Sequence, residues 1–196
     1  MITADIVKEL RQRSGAGMME CKRALEAAGG DLERALDELR KKGAAGVAKR
    51  AGRAATEGVV SAYVHLGGKI GVLIEVDCET DFVARTDEFQ ALARQLAMQV
   101  AAADPVAVDR ASVPAEVVER ERAIYESQAR ETGKPEAIVE KIVVGKLEKF
   151  YADAALLEQP FIRDPDRRVR DIVDETAAKL GENVVVRRFV RFAVGA

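Results

Sequence analysis

Three short stretches with helical spacing of apolar residues open the chain, and glycine-rich breaks separate them. Thr3 can cap the first helix and Asp31 the third, and Gly43 should end the third. The apolar positions at helical spacing are Ile6, Val7, Leu10, Met18, Cys21, Ala24, Leu25, Ala28, Leu32, Ala35, Leu36 and Leu39. The pattern predicts a compact three-helix unit over residues 1–43.

Residues 44–57 carry no apolar stripe. The segment is rich in alanine, glycine, lysine and arginine, a composition typical of a flexible connection. It predicts a linker between the three-helix unit and a larger unit over residues 58–196.

A β-hairpin follows the linker. Residues 58–66 and 69–78 are strand-like, and Gly67-Gly68 between them is typical of a two-residue turn. Such a turn pairs Leu66 with Lys69 and thereby sets the register. The face expected on the core pairs Val59 with Val76, Ser61 with Ile74, Tyr63 with Val72 and His65 with Ile70.

Four helical patterns follow the hairpin. They predict one helix from Thr86 or Asp87 to the residue before Asp104, one from Ser112 or Pro114 to about Gly133, one from Pro135 to Ala154, and one from Asp166 to Gly181. The middle two have narrow apolar stripes, which is typical of an antiparallel pair that projects from a core. We place this helical excursion at about 114–155.

Residues 183–193 predict a final strand. Alternation along it gives one face with Val184, Val186, Val190 and Phe192 and another with Arg187 and Arg191. A strand so late in the chain must pair with the hairpin or with another subunit. The elements together predict an α+β fold, in which a three-helix unit precedes a core with a small antiparallel sheet.

Composition narrows the classes of function. Hydrophobic residues make up 48% and charged residues 33% of the chain, as in a soluble globular protein rich in helix. A net charge of -2 gives no electrostatic case for nucleic acid or anionic membranes. No apolar run spans a bilayer, and the start lacks a signal-peptide core. Cys21 and Cys78 predict two buried thiols in a reducing compartment, so the expected location is the cytoplasm.

No constellation of residues predicts an enzyme. His65 is the only histidine, and a lone histidine is a poor base without a partner. The chain has no Cys-x-x-Cys pair, no phosphate-binding loop and no metal-ligand spacing. Alternating acids at Glu75, Asp77, Glu79 and Asp81 suit a cation, but a solvated strand face is the preferred interpretation. We therefore expect no catalytic residue, no metal and no cofactor.

The final strand offers the best case for nucleic acid. Arg187, Arg188 and Arg191 alternate with Phe189 and Phe192, as in a platform that stacks single-stranded bases. An amphipathic edge strand explains the same pattern, and the acidic balance of the rest of the chain favours it.

Two places predict side chains displayed for contact with another protein. Phe82 follows Asp81 at a helix entrance, directly after the second strand. Burial is the usual fate of phenylalanine, but this setting favours an exposed ring on a rigid base. Met18 and Met19 cannot both face the core from adjacent helical positions, so one of them is expected to be exposed. Exposed methionine suits protein contact, and core packing explains the pair equally well. The pattern predicts a protein that inserts a side chain into a partner.

Two segments carry a resemblance to a known family. Residues 11–25 read Arg-Gln-Arg-Ser-Gly-Ala-Gly-Met-Met-Glu-Cys-Lys-Arg-Ala-Leu and resemble the N-terminal signature of the bacterial translation elongation factor Ts family. Residues 79–85 read Glu-Thr-Asp-Phe-Val-Ala-Arg and resemble its second signature, in the same order and spacing. Residues 156–161 and 181–192 are also similar to the family's end, so the resemblance covers essentially the whole chain.

The resemblance implies both a fold and a function. It implies a ubiquitin-associated-like three-helix domain before an α+β core, and guanine-nucleotide exchange on elongation factor Tu without covalent chemistry. In the family, the aspartate and phenylalanine of the second signature press into the GTPase domain near its magnesium site. The matching residues of that signature here are Thr80, Asp81, Phe82 and Val83. The family's N-terminal domain grips a helix of the same GTPase domain, and the matching residues are Arg11, Met18, Met19 and Lys22.

The resemblance also implies an assembly. Longer family members carry a second sheet subdomain, for which this chain has no room, and short members form homodimers. The final strand is then expected to pair across a twofold axis. The expected partners are elongation factor Tu and a second copy, with no nucleic acid and no membrane. The rival hypothesis is a helical-bundle adaptor for peptides or ubiquitin-like proteins, which would leave GDP release unchanged.

Overall fold

The computed structural model describes residues 2–195. Met1 and Ala196, the end points of the predicted domain ranges, lie outside the described residues. The helices are α1 (Ala4–Ser14), α2 (Met18–Ala27), α3 (Leu32–Arg50), α4 (Asp81–Ala84), α5 (Asp87–Ala103), α6 (Ala115–Arg130), α7 (Glu136–Ala154) and α8 (Val169–Leu180). The strands are β1 (Glu57–Val64), β2 (Ile70–Cys78), β3 (Pro160–Phe161), β4 (Asp164–Arg168) and β5 (Val185–Ala193). The predicted α+β class is confirmed.

The first three helices enclose a core of their own. Thr3 caps α1 by accepting a hydrogen bond from the Ile6 N–H, and Asp31 caps α3 by accepting one from the Arg34 N–H at 3.0 Å. The buried residues of this cluster are Val7, Leu10, Cys21, Ala24, Leu25, Ala35, Leu36 and Leu39. Both caps agree with the sequence pattern, and so do the predicted apolar positions except Met18, which is exposed.

Helix α3 continues into the predicted linker as far as Arg50, so the prediction that Gly43 ends it was wrong. The helix runs on to Arg50 because α8 lies against it. Gly43 approaches Ala178, Val47 packs on the main core, and the Arg50 guanidinium donates to the Ala177 carbonyl at 3.4 Å. These tertiary contacts replace the missing apolar stripe, and the irregular part of the connection shrinks to residues 51–56.

The β1–β2 register was predicted correctly, but the turn was not. Val59 pairs with Val76 and Tyr63 with Val72. Instead of a turn centred on Gly67-Gly68, the Gly68 N–H donates to the His65 carbonyl at 2.9 Å, which centres a β-turn one residue earlier. The pattern of alternation therefore specified the pairing even though the turn chemistry was misread.

Strand β5 pairs with β2, so the sheet order is β1-β2-β5 and all pairs are antiparallel. The register shifts after Val186, where Arg187 is the extra residue of a bulge. The bulge reverses the alternation, so the predicted common face of Val186 and Phe192 was wrong. Val186 is buried, whereas Val190 and Phe192 point to solvent on the opposite face.

The inner face of this sheet packs on α5, and α8 packs on α5 and α3. Its main cluster holds Val72, Ile74, Val76, Phe89, Leu92, Leu96, Val100, Val169, Val173 and Val186. Helices α6 and α7 form an antiparallel pair with a cluster of their own, around Ala129, Val139, Val143 and Leu147. This arrangement agrees with the predicted helical excursion.

The last helix begins later than predicted, because a second, two-stranded sheet precedes it. Asp166 was expected to begin it, but residues 164–168 form β4, which pairs with β3. Helix α8 begins at Val169, and the Arg168 N–H donates to the Asp171 carboxylate at 2.9 Å. None of the helices within residues 2–195 combines the length and the hydrophobicity that a membrane-spanning helix needs.

Two glycines test this backbone description. Gly58 has a φ of 153°, and a Cβ there would lie 2.3 Å from the Val76 carbonyl oxygen. Gly58→Ala should therefore lower the free energy of unfolding by about 1–3 kcal/mol.

Gly145 lies in the α7 interior with open space around it. Gly145→Ala should therefore raise the free energy of unfolding by about 0.5–1 kcal/mol. Urea denaturation of both variants checks the two signs, and a stabilising Gly58→Ala would contradict the register.

Candidate functional site

Phe82 lies on a single helical turn that leaves the main core. Its side chain is 89% exposed. Thr80 caps α4 by accepting a hydrogen bond from the Val83 N–H at 3.4 Å. Thr86 donates to the Val83 carbonyl at 2.8 Å and caps the next helix, α5. Caps on both sides of one turn hold the ring in solvent on a defined backbone.

The base of this turn belongs to the core. Ala84 is buried and Val83 packs against the main cluster. The Gln90 side chain donates to the Ala84 carbonyl at 2.7 Å, and the buried Cys78 thiol donates to the Thr80 carbonyl at 3.2 Å. The segment is thus anchored below and open at the tip.

Asp81 adds charge beside the ring. Its carboxylate forms an ion pair with Arg85, one helical turn later, at 2.6 Å. Both side chains are more than half exposed, so the pair contributes little to stability and can exchange for a partner's groups. The tip therefore offers an aromatic ring flanked by one acid and one base.

The segment is also fixed from the far end of the chain, which the sequence did not reveal. Glu182, in the connection between α8 and β5, accepts hydrogen bonds from Glu79 and Thr80. Glu79 in turn accepts one from the Asn183 N–H. No local pattern signals these contacts, because the partners are more than a hundred residues apart.

The predicted N-terminal contact residues lie on the surface of the three-helix unit. Met18 is 43% and Met19 64% exposed on the first turn of α2. Lys22, also on α2, is exposed and lies 4.0 Å from the Glu26 carboxylate. Arg11 is exposed on α1. The α2 residues share one stretch of surface on the three-helix unit, whereas Phe82 lies on the larger unit that carries the sheet.

The outer face of the sheet is unusually apolar. Exposed residues on it are Val60, Val64, Leu73, Val190 and Phe192. In the registers of the sheet, Leu73 pairs with Val190 and Gly71 with Phe192, so the apolar side chains adjoin across β2 and β5. Contiguous apolar surface of this kind marks an interaction site.

The three arginines of β5 are neutralised by carboxylates. Arg187 pairs with Asp77 at 2.6 Å, Arg188 with Glu75 at 2.5 Å, and Arg191 with Asp104 at 3.1 Å. A platform that binds nucleic acid needs uncompensated positive charge on this strand, and the three ion pairs remove it. The same pairs engage two of the alternating acids, and residues 2–195 contain no cluster of acids, cysteines or histidine suited to a metal.

Comparison with known proteins gives a consistent answer. Residues 4–196 match the family model described as Elongation factor TS. The chain is 61% identical to Elongation factor Ts of Carboxydothermus hydrogenoformans, over all of this chain and 90% of the relative. It is 58% identical to the Elongation factor Ts of Thermoanaerobacter sp. strain X514 over 96% of that relative, and 59% identical to that of Geobacter sulfurreducens over 90%.

The thiol beneath the exposed turn gives a test of the site's packing. Burial raises the pKa of the Cys78 thiol to about 11, and the nearby Glu182 carboxylate adds to the shift. A raised pKa keeps the thiol protonated, so at pH 8 the thiolate fraction is about one thousandth. Iodoacetamide should label Cys78 slowly in the native protein and fast in urea, as measured by mass spectrometry. Rapid native labelling at pH 8 would contradict the packing.

Proposed function

The chain belongs to the elongation factor Ts family, whose members promote guanine-nucleotide exchange on elongation factor Tu. We propose that Phe82 is the residue through which this chain promotes GDP release. The ring enters the GTPase domain near the site that holds magnesium and the β-phosphate of GDP. The observation that carries this proposal is an almost fully exposed phenylalanine on a capped, core-anchored turn. Asp81 enters beside it, with Thr80 and Val83 as the flanking contacts.

In this proposal, nucleotide exchange results from a difference in the factor's affinity for two states of the GTPase. The factor binds the nucleotide-free GTPase more tightly than the GDP-bound form, and by reciprocity it weakens GDP by the same factor. Burying a phenylalanine that is 89% exposed contributes about 1.5–3 kcal/mol. That corresponds to about a ten- to hundredfold change in affinity. No bond is made or broken, so the chain acts as an exchange factor without catalysis of its own.

The three-helix unit is the docking module in this proposal. We assign it the ubiquitin-associated-like role implied by the resemblance, with Arg11, Met18, Met19 and Lys22 against a helix of the GTPase domain. Exposed methionines adapt to a partner's apolar surface, while the two basic side chains favour an acidic partner. Translation elongation takes place in the cytoplasm, and we propose that location.

Phe82→Ala should slow assisted GDP release by about ten- to hundredfold, because the burial energy of the ring is lost. The half-saturating concentration should change much less, because the three-helix unit still docks. Stopped-flow release of fluorescent GDP against factor concentration measures both the plateau rate and that concentration.

Met19→Ala is the matched control, since it removes an exposed side chain of similar size from the docking module. It should raise the half-saturating concentration and leave the plateau rate nearly unchanged. An unchanged plateau rate for Phe82→Ala would refute the proposed insertion of Phe82 into the GTPase domain. The adaptor hypothesis, in contrast, requires that no variant changes GDP release.

We also propose that the chain forms a homodimer through its sheet. Strand β5 is an edge strand, and the apolar outer face extends to it through Val190 and Phe192. The Arg188–Glu75 ion pair lies on the same face. In a twofold interface both copies present the same surface, so apolar patches meet each other and opposite charges can exchange partners.

Val190→Asp should therefore dissociate the dimer, because a carboxylate would have to be buried without a partner. Val144→Asp is the control, since Val144 is an exposed valine on α7, in the helical excursion. Sedimentation velocity at micromolar concentration should give a dimer mass for the wild type and the control and a monomer mass for Val190→Asp. A monomeric wild type would count against the dimer.

A further inference from the structure

Glu182 holds the base of the Phe82 turn although it lies 102 residues beyond Thr80. One of its carboxylate oxygens accepts hydrogen bonds from the Glu79 and Thr80 N–H groups, both at 3.0 Å. The other oxygen accepts the Thr80 hydroxyl at 2.6 Å. Three donors on two consecutive residues are thus satisfied by one side chain, and bonds to a charged acceptor are the strong ones.

A second carboxylate completes the contact in the opposite direction. Glu79 accepts the Asn183 N–H at 2.7 Å, so each of the two turns contributes an acid to the other's backbone. The Asn183 amide donates to the Arg53 carbonyl at 2.9 Å, and the Arg53 guanidinium lies 3.4 Å from Glu79. We call these five residues, Arg53, Glu79, Thr80, Glu182 and Asn183, the clasp.

The clasp controls the cap of the exposed turn. The Thr80 hydroxyl donates to Glu182, which directs its oxygen lone pairs toward the Val83 N–H that it caps. Helix α4 is a single turn of four residues, too short to be stable by itself. The Phe82 ring is nearly free of its own chain, so its direction depends on this backbone.

We propose that Glu182 is a positioning residue for nucleotide exchange, which sets the direction in which Phe82 leaves the core by acting through Thr80. This role rests on the proposed function of Phe82. It assigns the α8–β5 connection a part in the exchange step that is distinct from docking.

The first test compares Glu182→Ala with Glu182→Gln. Alanine removes both acceptor oxygens and with them all three hydrogen bonds. The plateau rate of assisted GDP release should then fall about tenfold, with a half-saturating concentration within about twofold of wild type. Glutamine keeps one oxygen for the two backbone N–H groups and should give an intermediate rate. Hydrogen exchange at the amides of residues 79–83 should rise in the same order.

Glu148→Ala is the matched control. It removes a carboxylate on α7, in the helical excursion, that accepts two hydrogen bonds of 2.8 Å from the Arg110 guanidinium. Its plateau rate should equal that of wild type. If Glu182→Ala does not fold, as judged by circular dichroism, Glu182→Gln carries the test. A wild-type plateau rate together with wild-type amide exchange in Glu182→Gln would then overturn the proposal.

A double variant separates positioning from general stability. In a Phe82→Ala background, Glu182→Ala should cause no further fall in the plateau rate, because there is no ring left to position. An equal fall in both backgrounds would overturn the positioning role. If Phe82→Ala is slow but Glu182→Ala matches wild type, only this inference fails. If Phe82→Ala matches wild type, the proposed function fails with it.

Discussion

The pairing of β5 with β2 is the interaction on which the rest of the molecule depends. It joins segments more than a hundred residues apart, and ion pairs from Asp77 to Arg187 and from Glu75 to Arg188 reinforce it. The pairing completes the sheet and covers α5 from one side. It also brings the turn before β5 against the turn after β2. Without this pairing, the segment that displays Phe82 would lose its anchor.

Helix α8 connects this core to the N-terminal unit. Its Ala177 and Ala178 contact the last turns of α3, where Arg50 and Gly43 lie. The same helix ends at Gly181, directly before the residues that reach the exposed turn. A single helix thus contacts α3 of the three-helix unit at its side and leads to the anchored turn at its end. The two surfaces proposed to meet the GTPase therefore share a rigid support, which favours simultaneous engagement.

Local patterns predicted those features that are determined by nearby residues. The caps at Thr3 and Asp31, the β1–β2 register and the apolar stripe of α5 all depend on spacing within one or two elements. The continuation of α3, the bulge at Arg187 and the role of Glu182 depend on contacts with distant segments, so local spacing could not reveal them. The exposure of Phe82 was predicted because its setting beside a helix start conflicted with burial.

The separation of a fixed base from a free tip has an energetic consequence. A ring in water adds nothing to the stability of its own chain, so the turn must be ordered by other groups. Thr80, Thr86 and Glu182 supply hydrogen bonds at the base that do not depend on where the ring lies. Ordering a loop on binding would consume part of the interaction free energy. Because this turn is ordered beforehand, most of the free energy of burying the ring would, under the proposed function, remain available to oppose the binding of GDP.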